Sequence, residues 1–239
     1  MYLFLNQFCV KLSAVPDVYN KNFQRFAKNK LMKVIDIENW NRKEHFKFFS
    51  AMKSPYFGFT TEVNCTKAYE TAKENGYSFF SYYLYKSMVA INSVEELKLR
   101  MVDDQVILFD EVHVGSTIGR TDGTFGFSFF HYSDDFTIFN QRLQDQIKTV
   151  ENSTGLGIRN EILPANHIRH TTIPWNSFSA IVHPTNFDPK ECIPKIAFGK
   201  FSVREGKKMM PVSIEAHHGL ADGIHLAKYF EEFQRQLDL

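Results

Sequence analysis

The hydrophobic pattern of this chain changes period many times. Positions 34–37 and 57–63 alternate apolar with polar, as half-buried strands do. Two further alternating runs, 99–102 and 106–109, flank Asp103-Asp104 and predict a hairpin. Strands at 112–118 and 124–131 meet around Thr121-Asp122-Gly123, and others are expected at 167–172 and 178–183. The most strongly marked hairpin joins 195–203 to 209–217 through Arg204-Glu205-Gly206-Lys207.

Helical periods lie between these runs. Asn41 is placed to cap a helix whose apolar side is Phe46, Phe49 and Met52, with Pro55 ending it. Thr66 opens a short helix that stops at Gly76, and Ser78 opens one to Asn92 that is apolar nearly all round and so expected to be buried. Asp134-Asp135 put acidic groups at the positive end of a helix running to Val150. A last helix, 224–237, is expected to bury Ile224, Ala227, Phe230 and Phe233. With no internal repeat, linker or low-complexity tract, these elements predict a single α/β domain with a large mixed sheet flanked by helices.

Composition narrows the function. The chain has 239 residues, 44% hydrophobic, with 24 Phe and 10 Tyr, which predicts an aromatic core. A net charge of +1 without a basic tract argues against a nucleic-acid partner. No apolar run reaches about 18 residues, so no membrane span is expected. Cys9, Cys65 and Cys192 are odd in number and far apart, which suggests a reducing, cytoplasmic compartment rather than a disulfide framework. Residues 1–31 begin with an apolar patch interrupted by Asn6 and Gln7 and continue basic and polar; they are expected to form a peripheral N-terminal extension to a domain at 32–239.

The candidate chemistry gathers at Glu215-Ala216-His217-His218-Gly219-Leu220-Ala221-Asp222-Gly223-Ile224-His225. A histidine at a strand end sits on a rigid element and exchanges a proton near pH 7, since its unperturbed pKa is about 6.5. The same residues also permit a surface turn. A metal site at His218, Asp222 and His225 would require one shared helix, which Gly219 and Gly223 oppose. No metal is therefore expected, and no Gly-x-Ser-x-Gly elbow supplies a nucleophile.

His-His-x-x-x-Asp-Gly, together with Trp40-Asn41-Arg42-Lys43-Glu44-His45-Phe46 and Pro174-Trp175, resembles the chloramphenicol acetyltransferase family and the wider acyl-CoA transferase group. The resemblance runs from about Met32 to Leu239. It implies a two-layer sandwich, and an acetyl-CoA-dependent O-acetyltransferase with acetyl-CoA as co-substrate and no permanently bound cofactor. His218 would be the general base and His217 structural. Asp222 would pair with Arg42, and Thr171 would donate to the oxyanion. Phe48, Phe49, Phe57 and Phe125 match positions lining the acceptor pocket. Ile181 and His183 stand where the family has apolar Phe- and Leu-like residues, and Ala197 stands where it commonly has Thr. Lys200 matches a candidate for the CoA phosphates. The family's state is a homotrimer with each active site between subunits.

Three other readings stay open. The first is a relative that acetylates a more polar hydroxyl acceptor. The second is the acyltransferase core of a dehydrogenase complex, although no lipoyl module is evident. The third is a non-catalytic trimer that binds a small molecule.

Overall fold

The computed structural model describes residues 32–157 and 163–239. The expected extension at 1–31 lies outside the described residues. Seven strands form one sheet: β2 (Tyr56–Asn64), β10 (Lys207–His217), β8 (Lys195–Gly199), β7 (His167–Ile173), β5 (His113–Gly119) and β6 (Phe125–Phe130) lie in that order, and β9 (Ser202–Arg204) pairs with the outer part of β10. The sheet is mixed: β5 and β8 run parallel to β7, and the other pairs are antiparallel. A second sheet, β1 (Met32–Val34), β4 (Gln105–Phe109) and β3 (Leu99–Val102), stands beside it.

The helices are α1 (Lys43–Ser50), α2 (Thr66–Glu74), α3 (Phe79–Ser93), α4 (Phe136–Glu151) and α5 (Gly223–Leu237). Side chains alternate across a strand, so Val212 and Ile214 of β10, Ile196 and Phe198 of β8 and Ile168 of β7 share one face. All five are fully buried against helix residues such as Leu84, Met88, Leu226, Tyr229 and Phe233. This is the two-layer α/β sandwich. The near-uniform apolarity of α3 fits its place in the middle of that layer: Leu84, Met88 and Ile91 are all 0% exposed.

Turn chemistry explains the hairpins. Asp103 and Asp104 both take positive φ (48° and 63°), as do Glu205 and Gly206 (51° and 76°). Two successive positive angles are what a tight hairpin turn demands. Local details differ from expectation. Arg42, not Asn41, holds the N-cap position of α1, and Cys65, not Thr66, that of α2. In α5 the buried side is Leu226, Tyr229, Phe230, Phe233 and Leu237, and Ile224 is 63% exposed.

The larger difference is at 174–194. A strand was expected at 178–183, yet this segment forms no strand. Both edges of the neighbouring β8 are already taken, by β7 and β10, and Pro184, Pro189 and Pro194 each lack an amide to donate. The segment instead straps across the face of the sheet opposite the helices. Its backbone carbonyls accept there from side chains: Tyr56 Oη donates to Ile193 O (3.0 Å) and Lys195 Nζ to Pro184 O (3.3 Å). Phe178 lies against Gly199, where any Cβ would meet its ring at 2.8 Å.

Two buried polar features set the stability of this frame. Arg100 of β3 is fully buried and donates to the carbonyls of Leu97, Leu99, Ala165 and His167. It thus ties the small sheet to the start of β7. Burial also pulls the imidazoles of His113, His167 and His170 down to about 4. In the unfolded chain they take up protons near pH 6.5. Between about pH 6.5 and 4 the unfolded state therefore binds more protons, and stability falls as pH falls through that window. The urea midpoint is expected to drop steeply from pH 6.5 to 4.5, each histidine adding up to about 1.4 kcal/mol per pH unit. His170→Gln should flatten the slope by about one proton. A midpoint that does not move over this range would contradict the assignment.

Candidate active site

β10 carries His217 to its end, and the chain then turns through Gly219 to Ala221 into α5. His217 is an anchor in that turn. Its Nδ1 accepts from Gly219 N (3.0 Å), so the ring proton sits on Nε2 and is donated to Pro189 O (3.1 Å). The side chain is buried and holds the strap against the strand end.

His218 points the other way. Its amide donates to Pro55 O (2.9 Å), and its carbonyl accepts from Arg42 Nη2 (3.1 Å). The imidazole is sandwiched between two aromatic rings: Phe49 stacks at 3.9 Å with planes 10° apart, and Phe57 at 4.0 Å with planes 26° apart. Phe49 comes from α1 and Phe57 from β2, and Pro55 links these elements, so one short stretch supplies both walls. The side chain keeps 31% of its surface accessible, and so can meet a substrate.

Asp222 is the N-cap of α5. Its carboxylate receives both Arg42 nitrogens: Nη1 donates to Oδ2, and Nη2 to Oδ1 (3.0 Å). Arg42 is 8% exposed. A planar fork on a carboxylate is a strong, directional pairing, and it joins the start of α1 to the start of α5 across 180 residues. The Arg42 hydrogen bond holds the Asp222 carboxyl below the usual carboxylate range, so it is an anion at neutral pH. His218 Nδ1 lies 3.2 Å from Asp222 Oδ1 but makes no aligned hydrogen bond among the described residues. Such contacts often tighten only when substrate is bound.

The sequence-predicted residues therefore divide into two groups. Arg42, Phe49, Phe57, His218 and Asp222 are brought together, and Phe48 stands at the rim, 63% exposed and edge-on to Phe49 at 5.1 Å. Thr171, Phe125, Ile181, His183 and Lys200 belong to other parts of the chain. Thr171 pairs with Ala197, and Ala197 with Ser213, five residues before His218. At ~3.3 Å per residue and ~4.8 Å per strand, Thr171 lies roughly 20 Å from His218 of the same chain. Phe125 is on the far edge strand, 45% exposed. Ile181 and His183 sit in the strap; His183 Nε2 is buried without a partner among the described residues, and burial followed by the Lys195 charge lowers its pKa. Lys200, exposed, follows β8 and donates its amide to Asn176 O (3.0 Å), beside Trp175, which is 75% exposed.

Sequence reasoning missed the stacking role of Phe49 and Phe57, since nothing local states which ring faces which. His225 was weighed there only as a metal ligand, and Glu96 was passed over. The signal for His225 was its place three residues after an N-cap, where a side chain can reach back to the cap amide. No helix among the described residues is long and apolar enough to cross a membrane.

The family model for chloramphenicol acetyltransferase matches residues 30–234. Chloramphenicol acetyltransferase 3 of Escherichia coli is 26% identical over 201 residues, covering 83% of this chain and 93% of its own. A solved chloramphenicol acetyltransferase superposes with a TM-score of 0.81 at 32% identity, covering 86% of this chain and 99% of that one. A probable dihydrolipoamide acetyltransferase from Listeria monocytogenes superposes at 0.59 with 12% identity, over 82% and 88% of the two chains, which is a likeness of fold alone.

Proposed function

Because this chain belongs to the chloramphenicol acetyltransferase family, we propose that it transfers the acetyl group of acetyl-CoA to a hydroxyl of chloramphenicol. The observation that carries this reading is the His218 imidazole, clamped between Phe49 and Phe57 with an open edge. Stacking fixes the ring plane, and the neighbouring Asp222 carboxylate favours a proton on Nδ1. Nε2 is then the free base. It removes the proton from the acceptor hydroxyl as the oxygen attacks the thioester carbonyl. The carbon–sulfur bond breaks, and the imidazolium returns its proton to the departing thiolate. The products are the acetyl ester and CoA, with no net proton change at the histidine. Arg42 keeps Asp222 ionised and grips the His218 carbonyl.

The tetrahedral intermediate carries an oxyanion, and Thr171 is our candidate for its hydroxyl donor. The separation of roughly 20 Å within one chain means that His218 and Thr171 of a single copy do not share a site. A homotrimer that places His218 of one copy against Thr171, Phe125 and the strap of the next resolves this. Lys200 is then available to the CoA phosphates. The face of the sheet opposite the helices, with Phe125 and Phe127 exposed at 45% and 43%, supplies apolar surface for such packing. The cytoplasm, where acetyl-CoA is made and thiols stay reduced, is the compartment this reading requires.

The test is a mixed oligomer. Thr171→Ala alone is expected to lose about 10²–10³ in kcat, as removal of one oxyanion donor does, and His218→Ala alone is also inactive. A trimer assembled from both kinds of subunit regains one intact site, about a third of native activity. Mixed oligomers as inactive as their parents would overturn the shared site. A second reading, a more polar acceptor, is supported by the buried Nε2 of His183 in the strap, which has no partner among the described residues.

A further inference from the structure

His225 lies one turn into α5 from Asp222 and is 9% exposed. Its Nδ1 accepts the backbone N–H of Asp222 at 2.8 Å. With Nδ1 an acceptor, the ring proton is on Nε2, which lies 3.3 Å from Glu96 Oε1 as a charge contact without an aligned hydrogen bond among the described residues. Glu96 belongs to the 3-10 turn Glu95–Lys98 that leads into β3. One imidazole thus bridges the N-cap of the last helix and a fixed point on the small sheet. Helix caps with Glu or Gln at this position reach back to the cap amide in the same way, but neither carries a second ring nitrogen that faces a carboxylate beyond the cap. The Asp222 carboxylate faces Arg42 and the His218 ring, and its backbone is held from behind by His225.

We propose that His225, anchored by Glu96, is a positioning residue for His218. It fixes the backbone of Asp222, and through the Asp222 carboxylate it fixes where the ring of the general base stands. This rests on the acetyl-transfer reading for its kinetic consequence, but the bridge itself does not. Removing His225 frees the Asp222 amide and lets the carboxylate drift, and displacements of about 1 Å near a reacting group cost up to about 10²-fold in rate.

The experiment compares the native protein with His225→Ala, His225→Gln and Glu96→Ala. Two quantities are read: acetyl-transfer kinetics, and hydrogen exchange of the Asp222 amide by NMR. Glutamine keeps an acceptor for that amide; alanine does not. The expected result for His225→Ala is a kcat about 10- to 100-fold lower, an unchanged KM for acetyl-CoA, and an Asp222 amide that exchanges at least tenfold faster. His225→Gln should recover most of both. Glu96→Ala, which keeps the imidazole but removes its anchor, should fall between them, and it carries the test if His225→Ala does not fold. Faster exchange with kcat within twofold of native would overturn the positioning role. Failure of glutamine to recover either quantity would overturn the cap. If the native protein transfers no acetyl group at all, the functional reading fails, and the exchange measurement still decides whether His225 holds Asp222.

Discussion

His218→Ala is expected to lower kcat by about 10²–10⁴-fold, the span that general acid–base help supplies. The loss should appear in kcat rather than in KM for acetyl-CoA, because the imidazole takes its proton only as the bond to the carbonyl forms. Stability is the control. The ring stacks at 3.9 and 4.0 Å between Phe49 and Phe57, so its removal opens a slot between them. His218→Asn retains a polar, planar group in that slot but offers no ring nitrogen as a base, and it should be as inactive as alanine while unfolding nearer to native. Activity within tenfold of native for either variant would remove His218 from the reaction.

The second large effect concerns the frame. Arg100→Ala takes away the donor for four backbone carbonyls, from Leu97, Leu99, Ala165 and His167, in a fully buried setting. Each buried acceptor left unpaired costs about 1–3 kcal/mol. Water will reach some of them through the space the side chain leaves, so a net loss of about 3–5 kcal/mol is expected. That is a large part of an ordinary domain's stability, about 5–15 kcal/mol. Arg100→Lys keeps the charge but not the planar fork, and a single ammonium group cannot meet carbonyls approaching from two strands; an intermediate loss follows. Urea unfolding measures both, and a loss below about 1 kcal/mol for Arg100→Ala would mean that those carbonyls find other donors.

The corner that carries the chemistry was legible because its signals agree. Val212, Ile214 and Ala216 alternate into the core, and Asp222 caps a helix whose apolar side follows at Leu226, Tyr229 and Phe230. The Asp103-Asp104 and Glu205-Gly206 turns were legible for the same local reason. What could not be read depends on distant partners. The alternation at 178–183 is strand-like, but a strand needs a free edge, and β8 beside it has none. Phe49 and Phe57 were assigned to the acceptor pocket from their positions, while their stacking on His218 depends on the path of the chain through Pro55. The distance between Thr171 and His218 follows from sheet order and register, which appear only once β7, β8 and β10 are laid side by side.

Everything in the site turns on an acetyl transfer from acetyl-CoA to chloramphenicol. The measurement that tests it most directly incubates the native protein with both, follows free thiol, and weighs the product by mass spectrometry. One thiol should be released for each chloramphenicol that gains one acetyl group, with neither product formed when either substrate is left out. Chloramphenicol that binds and raises the melting temperature, with no thiol released and no acetylated product, would rule out acetyl transfer and leave a protein that binds small molecules without transforming them.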